Sequence, residues 1–182
     1  VASRGLGDVY KRQRQDGEKS AFSLASAPQQ GRGLELHILG REASALNLLQ
    51  QLREQGTARV QLPFGDAHLA ELPDGPLVLI AAGTGMAQMH SLIEECRSRG
   101  FQHPVHLYWG ARRPEDFYQL PHWDEWQALP NLFLHQVVSD QCGWQGRCGL
   151  LHEAVREDFA DLRALHVYAS GSPSMVLSLI HI

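Results

Sequence analysis

The chain has 182 residues, of which 43% are apolar and 20% charged, a composition suited to a globular protein with a real core and one large domain or parts of two. A net charge of −4 gives no basic footprint for nucleic acid or an anionic membrane surface, so neither is an expected partner. No apolar run is long enough to cross a bilayer and no signal peptide is expected, which makes the cytoplasm the expected location. The three cysteines, Cys96, Cys142 and Cys148, lack paired C-x-x-C spacing, and none of the ten histidines falls in an HxxxH or HExxH pattern. The expectation is buried or half-buried free thiols, histidines mostly at the surface or an interface, and no metal site.

In chain order, residues 1–13 and 177–182 read as non-native segments, so the natural sequence is expected to start near Arg14 and to be cut off near Val176. Ala21 to Ala27 and the alternating Leu34 to Leu39 read as strands, separated by a turn at Pro28 to Gly33. Ser44 is placed to cap a helix with Leu46, Leu49 and Leu52 on one face, ended by Gly56, and Ala58 to Leu62 reads as another strand. After the Pro73 to Pro76 loop the rhythm changes. Strand 77–81, helix 86–99, strand 105–109, helical 116–127, strand 132–138, helix 150–159 and strand 164–169 alternate, as in a parallel sheet covered on both faces. The expected division is therefore a β-rich unit over 14–73 and an α/β unit over 74–176.

The stretch from Leu77 to Glu95 carries the main chemical signal. Its apolar run suits a buried parallel strand, Gly83-Thr84-Gly85 lets the backbone turn and approach a ligand without a Cβ, and the helix that follows presents free N–H groups to an anion. A dehydrogenase fingerprint would have a third glycine where Gln88 stands and an acidic residue after the next strand, where Trp109-Gly110-Ala111-Arg112-Arg113 is found.

A β-rich unit followed by a nucleotide-binding α/β unit, with motifs in a fixed order, resembles the ferredoxin-NADP reductase superfamily and within it the NAD(P)H:flavin reductases. Phe22-Ser23-Leu24-Ala25-Ser26 resembles the family's flavin-binding strand, with Ser23 beside flavin N5. Gly83-Thr84-Gly85-Met86-Ala87-Gln88 resembles its Gly-Thr-Gly-x-x-Pro turn, and Pro63-Phe64-Gly65-Asp66 its structural Pro-x-Gly turn. Tyr108 to Arg112 resembles the second strand and loop, which brings Arg112 to the dinucleotide; Gly143 to Arg147 follows the family as a structural turn. Ser139-Asp140 stands where NADPH-specific relatives carry Ser-Arg, so the resemblance implies NADH, with Asp140 repelling a 2′-phosphate. Ser170-Gly171-Ser172-Pro173-Ser174-Met175 is similar to the Cys-Gly-x-Pro-x-Met motif around the nicotinamide, with Ser170 in place of the cysteine.

The fold implied is a partial antiparallel flavin-binding β-barrel followed by a parallel-sheet α/β domain. The function implied is hydride transfer from NADH or NADPH to FMN, FAD or riboflavin. Ser23 and Ser170 are its catalytic candidates, and Phe22, Leu24, Ala25, Gly83, Thr84, Gly85, Met86, Arg112, Ser139, Asp140, Gly171, Ser172, Pro173 and Met175 its cofactor-binding candidates. Ser20 replaces the family's arginine and Ala21 a common proline, which removes an ion pair to a flavin phosphate and implies a flavin used as substrate or held loosely. The alternatives are a reductase component passing electrons to an iron-sulfur or oxygenase partner, and a non-catalytic nucleotide-binding regulator or inactive fragment.

Overall fold

The computed structural model describes residues 21–28, 33–41, 43–58, 60, 69 and 71–180. Ser20, the Pro63 to Asp66 turn, most of the 58–62 strand and residues 1–13 of the sequence reading lie outside that set.

Strand β1, Leu77–Ala82, is buried along nearly its whole length, which is why its sequence is apolar without alternation. It pairs in parallel with β2, Val105–Ala111, on one side and β5, His166–Ser170, on the other. Beyond β2 lie β3, Leu132–Val138, and the short β4, Arg147–Cys148, giving the order β4-β3-β2-β1-β5. Helices cover both faces of this sheet. Leu77, Leu79 and Ala81 meet α2, Met86–Ser98, and α3, Trp123–Gln127, in a core with Met89, Leu92 and Trp126. Val78 and Ile80 point the other way onto Leu151, Ala154 and Val155 of α4, Leu151–Asp158, with Met175 and Leu179 of α5, Pro173–Ile180, packed alongside. Because successive strands run outward from β1 through β2 and β3 and the chain then returns to β5, the direction of winding reverses between β1 and β5. Crevices open at the carboxyl ends of strands at such a reversal.

Helix α2 is buried on more than its sheet-facing side. Glu94 accepts a hydrogen bond from Trp126 Nε1 at 2.8 Å and pairs with Arg97 at 2.7 Å, so its buried carboxylate is compensated. His90 and Ser91 are buried against the first unit. In that unit the expected strands meet at an antiparallel bridge between Leu24 and Leu36, supported by Ala25 N–H donating to the Glu35 carbonyl at 2.8 Å. Helix α1, Ala43–Gln55, ends at Gly56 with φ +67°, as its sequence predicts.

Four expectations are corrected. The helical segment 116–127 is a 3-10 turn at Pro114–Asp116, an extended stretch, and the short α3; Pro121 removes a donor and disfavours helix at the residue before it. The extension sets Phe117 and Tyr118 edge-on to Trp109, at 4.9 and 5.0 Å between ring centroids. In α1, Ala45 and Leu48, three positions apart on one face, are the buried positions, while Leu46 and Leu52 are exposed. Cys142 and Cys148 form a disulfide rather than standing as thiols, since the turn into β4 brings their Cα atoms to 5.1 Å. Cys96 is the buried thiol expected, its pKa pushed up to about 12 by that burial. Finally, three of the histidines expected mostly at the surface are drawn inward: His90 is fully buried, and His106 and His135 are half-buried. His106 and His135 stack with each other on the sheet, 5.7 Å apart, between Phe133 and Tyr108.

Candidate functional site

The glycine turn forms a single 3-10 turn, Gly83–Gly85, leading directly into α2. Gly83 has φ +54°, and a Cβ there would meet nothing within 4 Å, so its backbone looks into open space. Trp109 Nε1 holds the turn from below by donating to the Gly83 carbonyl at 3.3 Å. Gly85 is constrained differently. A Cβ on it would lie 2.2 Å from the Ser170 carbonyl oxygen, and one on Gly171 would lie 2.4 Å from Met175 Cε. The backbones of the two glycine motifs therefore touch, and the ends of β1 and β5 form one surface.

A cleft of about 530 Å³ opens over this surface, across the carboxyl ends of β1, β2 and β3. Of the residues singled out in the sequence, Gly83, Thr84, Arg112, Ser139, Ser172 and Met175 line it. Asp140 stands beside it, accepting from Ser139 Oγ at 2.6 Å and from Arg112 Nε at 2.8 Å; these two hydrogen bonds hold its carboxyl below the usual range. Met86 is fully buried in the core and its N–H turns back to the Gly83 and Thr84 carbonyls, so its side chain takes no part in the cleft. Gly85, Ser170, Gly171 and Pro173 shape the wall without lining it.

Phe22, Ser23, Leu24 and Ala25 form a second group, docked along α2. Gln88 Nε2 donates to Ser23 Oγ at 3.1 Å, His90 Nδ1 lies 2.9 Å from the Ala25 carbonyl, and Ser91 Oγ donates to the Ser26 carbonyl at 2.8 Å. The helix that begins at the glycine turn thus carries this strand on its flank. Arg41 and Tyr118 line the cleft and were not singled out in the sequence. Arg41 pairs with Asp116 at 3.6 Å, and Tyr118 OH bonds to His37 Nδ1 at 2.8 Å. Burial lowers the His37 pKa against the opposing pull of Glu35 and raises that of Tyr118. No local pattern marks these residues, because they reach the cleft from the loop before α1 and from the irregular 117–120 segment.

The donor set fits a dinucleotide: an open backbone at Gly83, hydroxyls at Thr84, Ser139 and Ser172, and guanidinium groups at Arg41 and Arg112. Ser23 is half-buried, and its oxygen already receives Gln88, which leaves its proton to offer a planar acceptor such as a flavin. Among the described residues no cluster of histidine, cysteine or acidic side chains could hold a metal, and no helix is long and apolar enough to cross a membrane.

Fold and site together define a class: a parallel α/β dinucleotide-binding unit with a docked antiparallel segment on its first crossover helix. Residues 79–179 match the family model described as the oxidoreductase NAD-binding domain. NAD(P)H-flavin reductase of Vibrio harveyi is 36% identical over 166 residues, covering 85% of this chain and 69% of that protein. CDP-6-deoxy-L-threo-D-glycero-4-hexulose-3-dehydrase reductase of Yersinia pestis is 33% identical over 165 residues, covering 88% of this chain and 50% of its own length. The crystal structure of the Amycolatopsis cytochrome P450 reductase GcoB superposes with a TM-score of 0.80 at 26% identity, over 97% of this chain and 56% of that one. The chain belongs to the oxidoreductases that carry this NAD-binding domain, among the NAD(P)H-flavin reductases and their relatives. It spans about half the length of the dehydrase reductase it matches.

Proposed function

We propose that this chain is the catalytic portion of an NAD(P)H:flavin oxidoreductase that prefers NADH, with units at 14–73 and 74–176 and a cytoplasmic site of action. When both are bound, the dinucleotide supplies a hydride and the flavin accepts it. The protein's own work is alignment. The turn at Gly83 to Gly85 and the α2 N-terminus hold the pyrophosphate, while Arg112 and Ser139 receive the adenosine end. Asp140, kept ionised by its two hydrogen bonds, opposes a 2′-phosphate and accepts from a 2′-hydroxyl. Ser170, at the end of β5 against Gly85, keeps a small hydroxyl beside the nicotinamide pocket, and Ser23 presents its hydroxyl to flavin N5.

The observation that carries this reading is the docking of the 22–26 strand on the same helix whose start forms the dinucleotide turn. Two rings bound to one rigid helix are brought into a fixed relation, which is what a direct transfer needs. The test is NADH oxidation by the full-length protein with riboflavin, FMN or FAD as the acceptor under air. Flavin-dependent loss of absorbance at the nicotinamide band supports the proposal; no oxidation with any free flavin overturns it. A second reading, a reductase delivering electrons to a separate iron-sulfur or oxygenase protein, is favoured by the similarity to relatives named as dehydrase and cytochrome P450 reductases. It predicts a flavin retained through gel filtration and slow reaction with free flavin.

A further inference from the structure

We propose that Gln88 is a positioning residue that sets the direction of the Ser23 hydroxyl, so that Ser23 donates its proton toward the flavin rather than back into the protein. This rests on the reading above that Ser23 faces flavin N5. Gln88 stands where the resembling motif has proline, a residue with no side-chain donor. Here its amide Nε2 donates to Ser23 Oγ at 3.1 Å across 65 positions of sequence, in a half-buried contact.

A serine hydroxyl is a rotor with one proton and two lone pairs. With a lone pair occupied by the Gln88 N–H, the proton is directed away from Gln88, and a hydroxyl that accepts a hydrogen bond becomes a stronger donor in turn. The ring nitrogen of an oxidised flavin is an acceptor, so this polarity matches what the flavin requires. Gln88 is not needed to hold the strand in place, because His90 to the Ala25 carbonyl and Ser91 to the Ser26 carbonyl secure the neighbouring backbone. Its effect is therefore on the orientation of one proton.

Gln88→Glu tests this with almost no change in shape. The introduced carboxylate, once ionised, offers only acceptors, so the Ser23 proton turns toward it and away from the flavin. In the full-length protein, anaerobic flavin bleaching at saturating NADH is expected to slow about tenfold or more, the scale of one oriented hydrogen bond, whatever change in NADH affinity a carboxylate in the first turn of α2 brings. The loss is expected to recede as the pH falls toward the carboxyl range near ~4.3, where the introduced group, now protonated, can donate again. Gln88→Ala is expected to give a smaller loss with no such recovery. Binding gives a readout separate from turnover: the ¹⁵N resonance of flavin N5 is expected to shift on binding to the wild-type protein and to shift less in Gln88→Glu at neutral pH. Ser23→Ala and the Ser23→Ala/Gln88→Glu double variant are expected to match each other, because Gln88 acts only through Ser23.

If both Gln88 variants bleach flavin at the wild-type rate while Ser23→Ala is slow, the role of Gln88 is refuted and that of Ser23 stands. Wild-type rates in Ser23→Ala as well overturn both. Gln88→Glu acting through weakened NADH binding alone also overturns the proposal.

Discussion

Gly85→Ala should destabilise the α/β unit although every local rule favours it. Gly85 has φ −56° and ψ −18°, a helical conformation that alanine adopts readily, and at an unconstrained helical position the change would stabilise by up to ~1 kcal/mol. What opposes it is tertiary. The new Cβ would lie 2.2 Å from the Ser170 carbonyl oxygen and 2.6 Å from its carbon. Carbon and oxygen settle at about 3.3 Å or more, so the turn and the end of β5 must part by about 1 Å, and both are backbone with no side chain to swing aside. Overpacking of this kind costs ~1–3 kcal/mol, leaving a net loss of about 2 kcal/mol or less after the helix gain. Urea unfolding of the full-length protein, followed by far-UV circular dichroism, should show a lower midpoint at unchanged slope. NADH affinity should fall too, because the displaced turn carries the donors proposed for the pyrophosphate. Gly33→Ala is the control, since its Cβ meets nothing within 4 Å. A Gly85→Ala protein more stable than the wild type, with normal NADH binding, would refute the close approach of the two glycine motifs.

Asp140→Arg removes the carboxylate proposed to oppose a 2′-phosphate and releases Arg112 from its 2.8 Å pair, so the NADPH-to-NADH preference should rise roughly tenfold or more in steady-state kinetics. An unchanged preference, or a wild-type protein already favouring NADPH, would sink that assignment. Phe22→Ala should weaken flavin binding about tenfold by fluorescence titration, through lost ring contact, and equal affinities would remove Phe22 from the flavin site. Stability should also fall on acidification. Burial lowers the pKa of His106 and His135 in the folded protein, so the unfolded chain takes up protons first as the pH drops below about 6.5. Above that range both states hold neutral rings and these groups contribute no slope; below it, unfolding free energy should decline until the folded rings protonate. Urea melts from pH 8 to 5.5 would show this, and His106→Phe should flatten the slope. A pH-independent midpoint would contradict it.

The α/β half was legible in the sequence because its signals are local. The unbroken apolar run at Leu77 to Ile80 belongs to a strand covered on both faces, the glycine turn leads into a helix beginning at Met86, and the Leu132–Val138 strand has the limits its composition predicts. The ordered motifs likewise pointed to dinucleotide and flavin. What only the tertiary structure decided depends on contacts between distant positions. Pro121 splits the expected 116–127 helix, but where the released Tyr118 lands, on His37 and in the cleft, is set by packing against Trp109. Arg41 reaches the cleft from a loop with no motif, and the Cys142–Cys148 pairing follows from the turn into β4. Gln88 shows the difference most plainly. In the sequence it is a departure from a glycine motif; in the structure it is a hydrogen-bond donor to Ser23, because α2 and the 22–26 strand, 65 positions apart, pack side by side. Periodicity and turn chemistry are properties of neighbours along the chain. The direction of a hydroxyl is decided by whatever the fold brings next to it.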